Sequence, residues 1–533
     1  MGRRIRNPEW ARLQQPVVAA LDRWLEGQDW DLGLRRWFDD GLSGAEVALV
    51  TRTGANRDDQ VVIKFFLAGP AEVRRWKDAV RGAGEYADRH LVKLVDDGPL
   101  GPDPDGPWLA VLRIAGGDLV RFRPLQQALR SGDGSAAETL RTVVSSVLLE
   151  WYVQPPVPPA TDRTASDYLR SLFGAGWLDE RLSSGAPLRA WMDRQGIALD
   201  APVVDRPHPL ANPVALAVRP GLTDGSVHVF HGKCHGDLQV RNVYLPIEPA
   251  DPNQYRLIDL GGYAAAAPLA RDPMHLLLSV ALEWLRSGIR PASPTGRTLI
   301  EAIVPTDPTK VPDSMVAYHE VSRAIRECKP PRLEEDGWGA DWTGQQLLAL
   351  AGCGLLFASR RFRTDGAAVE DLRGWFFDLA AVAARAYLIH TEQWAQFQRQ
   401  ARTTAPATPM SAASAQMAGA DVLPFRRSEQ PTPQWPPPRN PADSWAELRH
   451  ELSRVNFGTV DWRILAARTE RLRVVMTAHR DHPDLAGTDI ADLLEDLEVT
   501  IVEVLTPAAS PTQLRSAAEH ATRLRSWLLD SLE

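Results

Sequence analysis

Two short segments carry residues whose types and spacing suit phosphoryl transfer. The first, His235-Gly236-Asp237-Leu238-Gln239-Val240-Arg241-Asn242, places a His, an Asp and an Asn within one loop-sized stretch. The second, Leu257-Ile258-Asp259-Leu260-Gly261, has an Asp followed two residues later by Gly. In that chemistry the protein must position an acceptor hydroxyl in line with a γ-phosphate and neutralise oxyanion charge. Asp237 would accept the hydroxyl proton or orient the acceptor, so the candidate catalytic residues are Asp237, His235 and Asn242. Asn242 and Asp259 are candidate ligands for Mg2+, a hard cation that prefers oxygen. Each segment alone also suits a buried His, a structural Asp and an ordinary turn; together they favour chemistry.

These side chains need elements that bring positions 242 and 259 together. Val243-Tyr244-Leu245 and Tyr255-Arg256-Leu257-Ile258 are short apolar runs either side of a Pro/Asp/Asn turn from Pro249 to Asn253, which predicts a β-hairpin. Asn242 would then precede one strand and Asp259 follow the other. Upstream, Gly41-Leu42-Ser43-Gly44-Ala45-Glu46-Val47 is a small-residue turn entering a strand-like run at 45–50. At Gly41, Ser43 and Gly44 backbone N–H groups could approach a nucleotide phosphate, although a plain hairpin turn has the same composition. Gln60 to Leu67 then has strand composition and carries Lys64. The chain has six lysines, at 64, 77, 93, 233, 310 and 329, and Lys64 sits inside an apolar strand, one strand after a glycine turn. An ammonium on a flexible stem there suits the α/β-phosphates of ATP; an edge-strand Lys facing water is the alternative.

H-x-D-x-x-x-x-N followed by D-x-G matches the catalytic and metal-binding patterns of kinases, and Val61-Val62-Ile63-Lys64 is close to V-A-I-K. With Gly after the His, the segment resembles the aminoglycoside phosphotransferase-like branch of the protein-kinase-like superfamily. It is most similar to the ternary complex-associated phosphotransferase-like domains of bacterial conflict systems. The resemblance covers about residues 35–395; Leu260, where many kinases have Phe, and Gln239 depart from it at positions not expected to carry the chemistry. It implies an α+β, bilobal protein-kinase-like fold, with a small antiparallel-sheet N-lobe, a largely helical C-lobe, and ATP and Mg2+ as cofactors. It also implies a Glu partner for Lys64 on the following helix. Glu72 falls early in the helix-like run 71–80, Glu85 follows a Gly-Ala-Gly interruption at 82–84, and either also suits a solvated helix charge. Asp272, after Pro268-Leu269-Ala270-Arg271, would brace the catalytic loop; its local pattern also suits a helix N-cap with Pro273 at the first position. The run 108–115 ending in Gly116-Gly117 falls where such domains place the interlobe hinge and hold adenine, and a plain strand and turn has the same residues.

Composition frames these motifs. At 533 residues the chain is long enough for two or three domains, and 44% hydrophobic with 24% charged residues are globular values. A net charge of −8 argues against a general nucleic-acid binder. No apolar run reaches membrane-span length, and Met1 to Trp10 does not read as a signal peptide. Cys234, Cys328 and Cys353 have no metal spacing, which fits a reducing cytoplasm, and Cys234 reads as a small buried residue rather than a nucleophile. Residues 1–34 form a helical extension, with a helix from Pro8 to Glu26 whose Trp10, Leu13, Val17, Leu21 and Leu25 share a face. Residues 35–117 are the N-lobe and 118–400 the C-lobe, with apolar helices at 137–153, 274–285, 344–361 and 372–400. Residues 155–159 and 183–220 are Pro-rich and read as irregular, the second lying where such enzymes build acceptor pockets.

From 401 to 442 a Pro/Ala-rich linker is expected, best read as a spacer, with a docking segment around Trp435 the alternative. Residues 443–533 read as a small all-α bundle of four helices, with capping-box pairs Ser444/Glu447 and Ser510/Gln513. Between Asp484 and Glu503 it has seven acidic residues and no basic one, a face that is either simply solvated or docks a basic protein partner. Three functions fit. The first is an ATP- and Mg2+-dependent phosphotransferase with an unidentified acceptor, in a bacterial signalling or defence system. The second is a pseudokinase-like scaffold working through its tail, favoured by the uncertain Glu partner of Lys64. The third is an aminoglycoside-type enzyme, which an acidic acceptor pocket would favour.

Overall fold

Period-two alternation builds the first layer. In the computed structural model, β1 (Trp30–Phe38), β2 (Glu46–Gly54), β3 (Arg57–Phe66), β4 (Leu94–Pro99) and β5 (Trp108–Arg113) form an antiparallel sheet ordered β1-β2-β3-β5-β4. Val61, Ile63 and Phe65 of β3 lie in one cluster with Val17, Leu21 and Leu25 of α1 (Gln15–Glu26). One residue out of phase, Lys64 and Phe66 point to the opposite face, where Phe66 packs on Val73 of α2 (Ala71–Ala83). α3 (Glu85–His90) follows.

The structure describes residues 10–404 except 11, 14, 39–45, 55–56, 67–68, 102, 104–105, 116–120, 131–135, 153–159, 205–208, 224, 248–250, 305–310, 331–332, 334–336 and 363–366. Gly41, Ser43 and Gly44, the Gly116-Gly117 break, the 155–159 stretch, the linker beyond 404 and the 443–533 bundle therefore lie outside the described residues. The chain divides into two units, Met1–Thr408 and Pro409–Glu533.

Of the helix expected from Pro8 to Glu26, the structure describes α1 from Gln15, and residues 8, 9, 11 and 14 lie outside the described residues. Pro16 has no N–H to donate and fits only a first turn. Trp10 and Leu13 join the same core from a short turn ahead of the helix. β1, unassigned by its sequence, buries Trp30, Leu32 and Leu34 alternately and runs across the division expected at residue 34. α1 and β1 thus belong to the sheet layer.

The rest is mostly helical. In order come β6 (Phe122–Pro124), α4 (Leu125–Arg130) and α5 (Ala136–Ser146), which continues as a π-helical turn at Val147–Tyr152. Then follow β7 (Ala160–Thr164), α6 (Ala165–Ser171), α7 (Trp177–Leu182), α8 (Pro187–Arg194), β8 (Val203–Val204), β9 (Leu210–Ala211) and α9 (Pro213–Val218). The site-bearing strands are β10 (Ser226–Cys234), β11 (Val243–Pro246), β12 (Arg256–Leu257) and β13 (Ala264–Pro268). α10 (Arg271–Arg286), α11 (Pro294–Ile303), α12 (Val316–Arg326), α13 (Gly339–Ala358), α14 (Ala367–His390) and α15 (Trp394–Thr404) complete the described chain.

β10 pairs with β7 and β13, and β11 with β12 and β6. α13 is buried on nearly all sides and packs on α10 and α14, as an all-round apolar helix must. The helix expected at 372–400 is two helices, separated at Glu392, whose φ is 60°. The stretch 183–220 is more regular than its prolines suggest, because Pro187 and Pro213 start helices and Asn212 caps α9 by accepting from Val214 N–H. Among the described residues no helix is long and apolar enough to cross a membrane. The architecture is mixed α+β, with a small antiparallel sheet and many helices.

Candidate active site

The predicted hairpin forms. Val243 pairs with Leu257 and Tyr244 with Arg256, and Ile258 N–H donates to Asn242 carbonyl at 3.0 Å. Asn242 and Asp259 therefore flank the same end. Asn242 Nδ2 donates to Asp237 carbonyl at 2.8 Å and to Asp237 Oδ2 at 3.1 Å, leaving the Asn242 amide oxygen free of that bond. Gln239, expected to lie outside the chemistry, donates Nε2 to the same Oδ2 at 2.9 Å and helps hold the carboxylate. Gly236 has φ 87°, and a Cβ there would come 1.7 Å from Gly262 carbonyl oxygen, so the loop and the D-x-G segment approach at a distance only glycine allows.

One stripe of α10 fixes the loop at 235–242 by its backbone. Asp272 accepts N–H of His235 at 2.6 Å and of Gly236 at 3.2 Å, and also the Tyr152 hydroxyl. His275 Nδ1 donates to Leu238 carbonyl at 3.0 Å, and Ser279 Oγ accepts Val240 N–H at 3.1 Å. Residues 272, 275 and 279 share a helix face, so successive side chains grip successive loop peptides. Arg271 adds an Nη2 bond to Gly236 carbonyl at 2.6 Å. The implied bracing role of Asp272 is thus what its contacts display. It is not the N-cap, because α10 starts at Arg271 with Ala270 as its cap. The π-helical turn ends at Tyr152, whose hydroxyl bonds both Asp272 and His235 N–H.

His235, expected from its sequence among the catalytic residues, sits where its ring holds the loop together. It is fully buried, with Nε2 donating to Ile258 carbonyl at 2.9 Å and Nδ1 accepting Asp237 N–H at 3.3 Å. These bonds fit one neutral tautomer, and burial pushes its pKa down. The ring ties the loop to the D-x-G strand and faces no open space.

On the sheet side, Lys64 is 5% exposed on a central strand, not an edge. Its Nζ lies 3.1 Å from Glu72 Oε2 and 2.7 Å from Asp259 Oδ1. Glu72, although early in α2, is the partner; Glu85 is exposed. The D-x-G glycine makes this possible, because a Cβ on Gly261 would lie 2.6 Å from Glu72 Oε2. Asp259 itself has φ 60°, a left-handed conformation that costs a non-glycine residue about 1 kcal/mol or more. Burial pushes the Lys64 ammonium pKa down, but Asp259 and Glu72 outweigh it and hold it above its ordinary value.

Asp237 is enclosed by protein yet keeps 37% of its side chain open. Burial, reinforced by the nearby Asp259 charge, pushes its pKa up to about 6, against Arg360 and the Asn242 bond. Its Oδ1 lies 3.8 Å from His275 Nε2, which in turn accepts from Arg360 Nη2 at 3.1 Å. Burial, then Arg360, pushes the His275 pKa far down, so the ring is neutral. Tyr152, Arg271, His275, Ser279 and Arg360 were missed from sequence. The signal for His275 and Ser279 was present as polar residues at helical spacing inside an apolar helix. Nothing local to Arg360 announces its place. Cys234 is fully buried, its thiol pushed up to about 12 by burial, and Cys328 and Cys353 are buried and free.

No family model and no curated protein sequence matches the chain. Among solved structures it is similar to Plasmodium vivax ethanolamine kinase, at 10% identity over 72% of this chain and 88% of that one, with a TM-score of 0.30. A likeness that loose leaves the site's own geometry as the guide to function.

Proposed function

We propose that the chain is an ATP- and Mg2+-dependent phosphotransferase of bilobal, protein-kinase-like fold, acting on an alcohol. The observation that carries this reading is the convergence on Asp259. Lys64, 195 positions away in sequence, bonds both Glu72 and Asp259 at the mouth of the hairpin that also presents Asp237 and Asn242. Lys64 would hold the α/β-phosphates, with Glu72 keeping it extended. Asp237 would orient the acceptor hydroxyl and take its proton, a role suited to a carboxylate whose pKa lies nearer the working pH. Asp259 and the free amide oxygen of Asn242 are hard oxygen donors, a set that suits Mg2+, which takes few protein ligands and completes its shell with water and phosphate. Magnesium, when bound, would supply charge neutralisation for the transferred phosphoryl group.

The pseudokinase-like reading drew its support from the uncertain Glu partner of Lys64, and the Lys64–Glu72 bond weakens that support. In our reading the resemblance to conflict-system domains sets the protein in bacterial signalling or defence, with residues 443–533 as a partner-binding segment. The test is calorimetry of Mg·ATP on the wild type beside Asp259→Ala. Magnesium-dependent binding that the variant loses is expected; no binding to the wild type would sink the reading.

A further inference from the structure

The two oxygens of Asp237 face different surroundings. Oδ2 is held by Asn242 and Gln239, on the side of the proposed metal ligand. Oδ1 faces His275, and behind that neutral ring stands Arg360. The Arg360 guanidinium stacks 3.6 Å from the Phe357 ring centre and donates to His275 at 3.1 Å, yet makes no ion pair with any described residue. Burying a cation without a carboxylate partner is unfavourable, and most of its five N–H donors remain available.

Arg360 is not alone. Arg241, inside the catalytic loop, is half-buried and makes no hydrogen bond or ion pair among the described residues. Arg130 and Arg286 share one buried carboxylate, Glu283, at 2.8 and 3.4 Å. Burial is the main cause that pushes the Arg360 pKa down to about 10, with Asp237 pulling it up and Arg286 and Arg241 pushing it further down. The Oδ1 side of Asp237 thus faces a cation, Arg360, whose described hydrogen bond goes to His275 rather than to a carboxylate.

We propose that the acceptor is an alcohol carrying a phosphate or carboxylate, which Arg360 and Arg241 bind beside Asp237 Oδ1. This inference rests on the phosphotransferase reading and narrows it. A planar guanidinium fork suits either anion, and held by the Phe357 ring it loses little freedom on binding. The same field repels an amine-rich acceptor, which sets the site against the aminoglycoside-type alternative.

The test uses the full chain with Mg2+ and saturating β,γ-imido-ATP, titrated calorimetrically with glycerol 3-phosphate, glycerate, glycerol and 2-aminoethanol. Binding of either anion at least tenfold tighter than glycerol or 2-aminoethanol is expected. Arg360→Gln and Arg241→Gln should each weaken anion binding about tenfold or more, with the nucleotide still bound. If Arg360→Gln does not fold, Arg241→Gln carries the test, because that side chain makes no hydrogen bond or ion pair among the described residues. Nucleotide binding with no anion preference, with no probe bound, or with variants that keep the anion affinity overturns this inference alone. Variants that lose nucleotide and anion together also overturn it, by placing the arginines in the nucleotide site. Failure of the wild type to bind Mg2+ and nucleotide sinks the phosphotransferase reading and this inference with it.

Discussion

The loop at 235–242 and the Lys64 cluster lie against each other but are held in different ways. The loop at 235–242 is fixed through its own backbone by buried Asp272, His275 and Ser279. The Lys64 cluster is a buried ammonium hydrogen-bonded and ion-paired between two carboxylates each about one-third exposed, Glu72 and Asp259. Buried hydrogen bonds are costly to leave unmade, whereas partly exposed ion pairs contribute little and exchange partners readily. The difference teaches that the loop geometry comes with the fold, while the lysine and its two partly exposed acids can exchange partners at low cost.

The largest break in that comparison is Asp272→Ala. It strands Gly236 N–H and the Tyr152 hydroxyl proton in a buried site and leaves His235 N–H only the Tyr152 oxygen to donate to. The expected loss is about 3–5 kcal/mol in urea unfolding, summing the usual penalty over those donors. A loss under about 1 kcal/mol would mean the loop is held elsewhere. Next, Asp237→Asn should lower turnover about 10²–10⁴-fold once an acceptor is found, without weakening Mg·ATP binding comparably. Equal loss of both would place Asp237 in the nucleotide site instead.

The two regions also differ in how much of them can be read from sequence. Lys64, Asp237, Asn242 and Asp259 announce themselves by local pattern, because strand alternation and a short hairpin fix neighbours within a few residues. The loop's supports come from α10 and from a π-helical turn at Val147–Tyr152, far away in sequence and specified by packing rather than by motif. Asp272 entered through the resemblance alone, and its local pattern pointed to an N-cap that the helix does not use. Glu72 looked too early in its helix because the partner's position depends on where D-x-G lies, and Gly261 is what admits it. β1 went unseen because Arg35 and Arg36 interrupt the alternation of Trp30, Leu32 and Leu34, where the strand carries a register shift.

Smaller effects sharpen the contrast. Lys64→Met should weaken Mg·ATP about tenfold or more while changing unfolding stability by about 1 kcal/mol, since each lost ion pair has a partly exposed partner. Glu72→Gln should change stability by less than about 1 kcal/mol and act mainly on nucleotide affinity. A stability loss as large as that of Asp272→Ala would show the cluster to be structural after all.

The finest distinction is in pH dependence without nucleotide or metal. Asp237 has its folded pKa raised to about 6, so its contribution to stability is present below the ordinary Asp value and is lost as pH rises through about 6. His235 and His275 run the other way. Their folded pKa values are depressed, so their contribution is present above the ordinary His value, near 6.5, and is lost as pH falls below it. Asp237→Asn should therefore gain on the wild type in urea unfolding as pH rises from about 4.5 to about 7.5, a span that brackets the Asp237 transition. Both proteins keep the two histidines, so the part of the histidine contribution that does not depend on the Asp237 charge cancels in that difference. A gap that stays flat would mean the open part of the Asp237 side chain is solvated well enough to offset its enclosure. A gap that closes with rising pH would mean Arg360 outweighs burial and favours the ionised carboxylate.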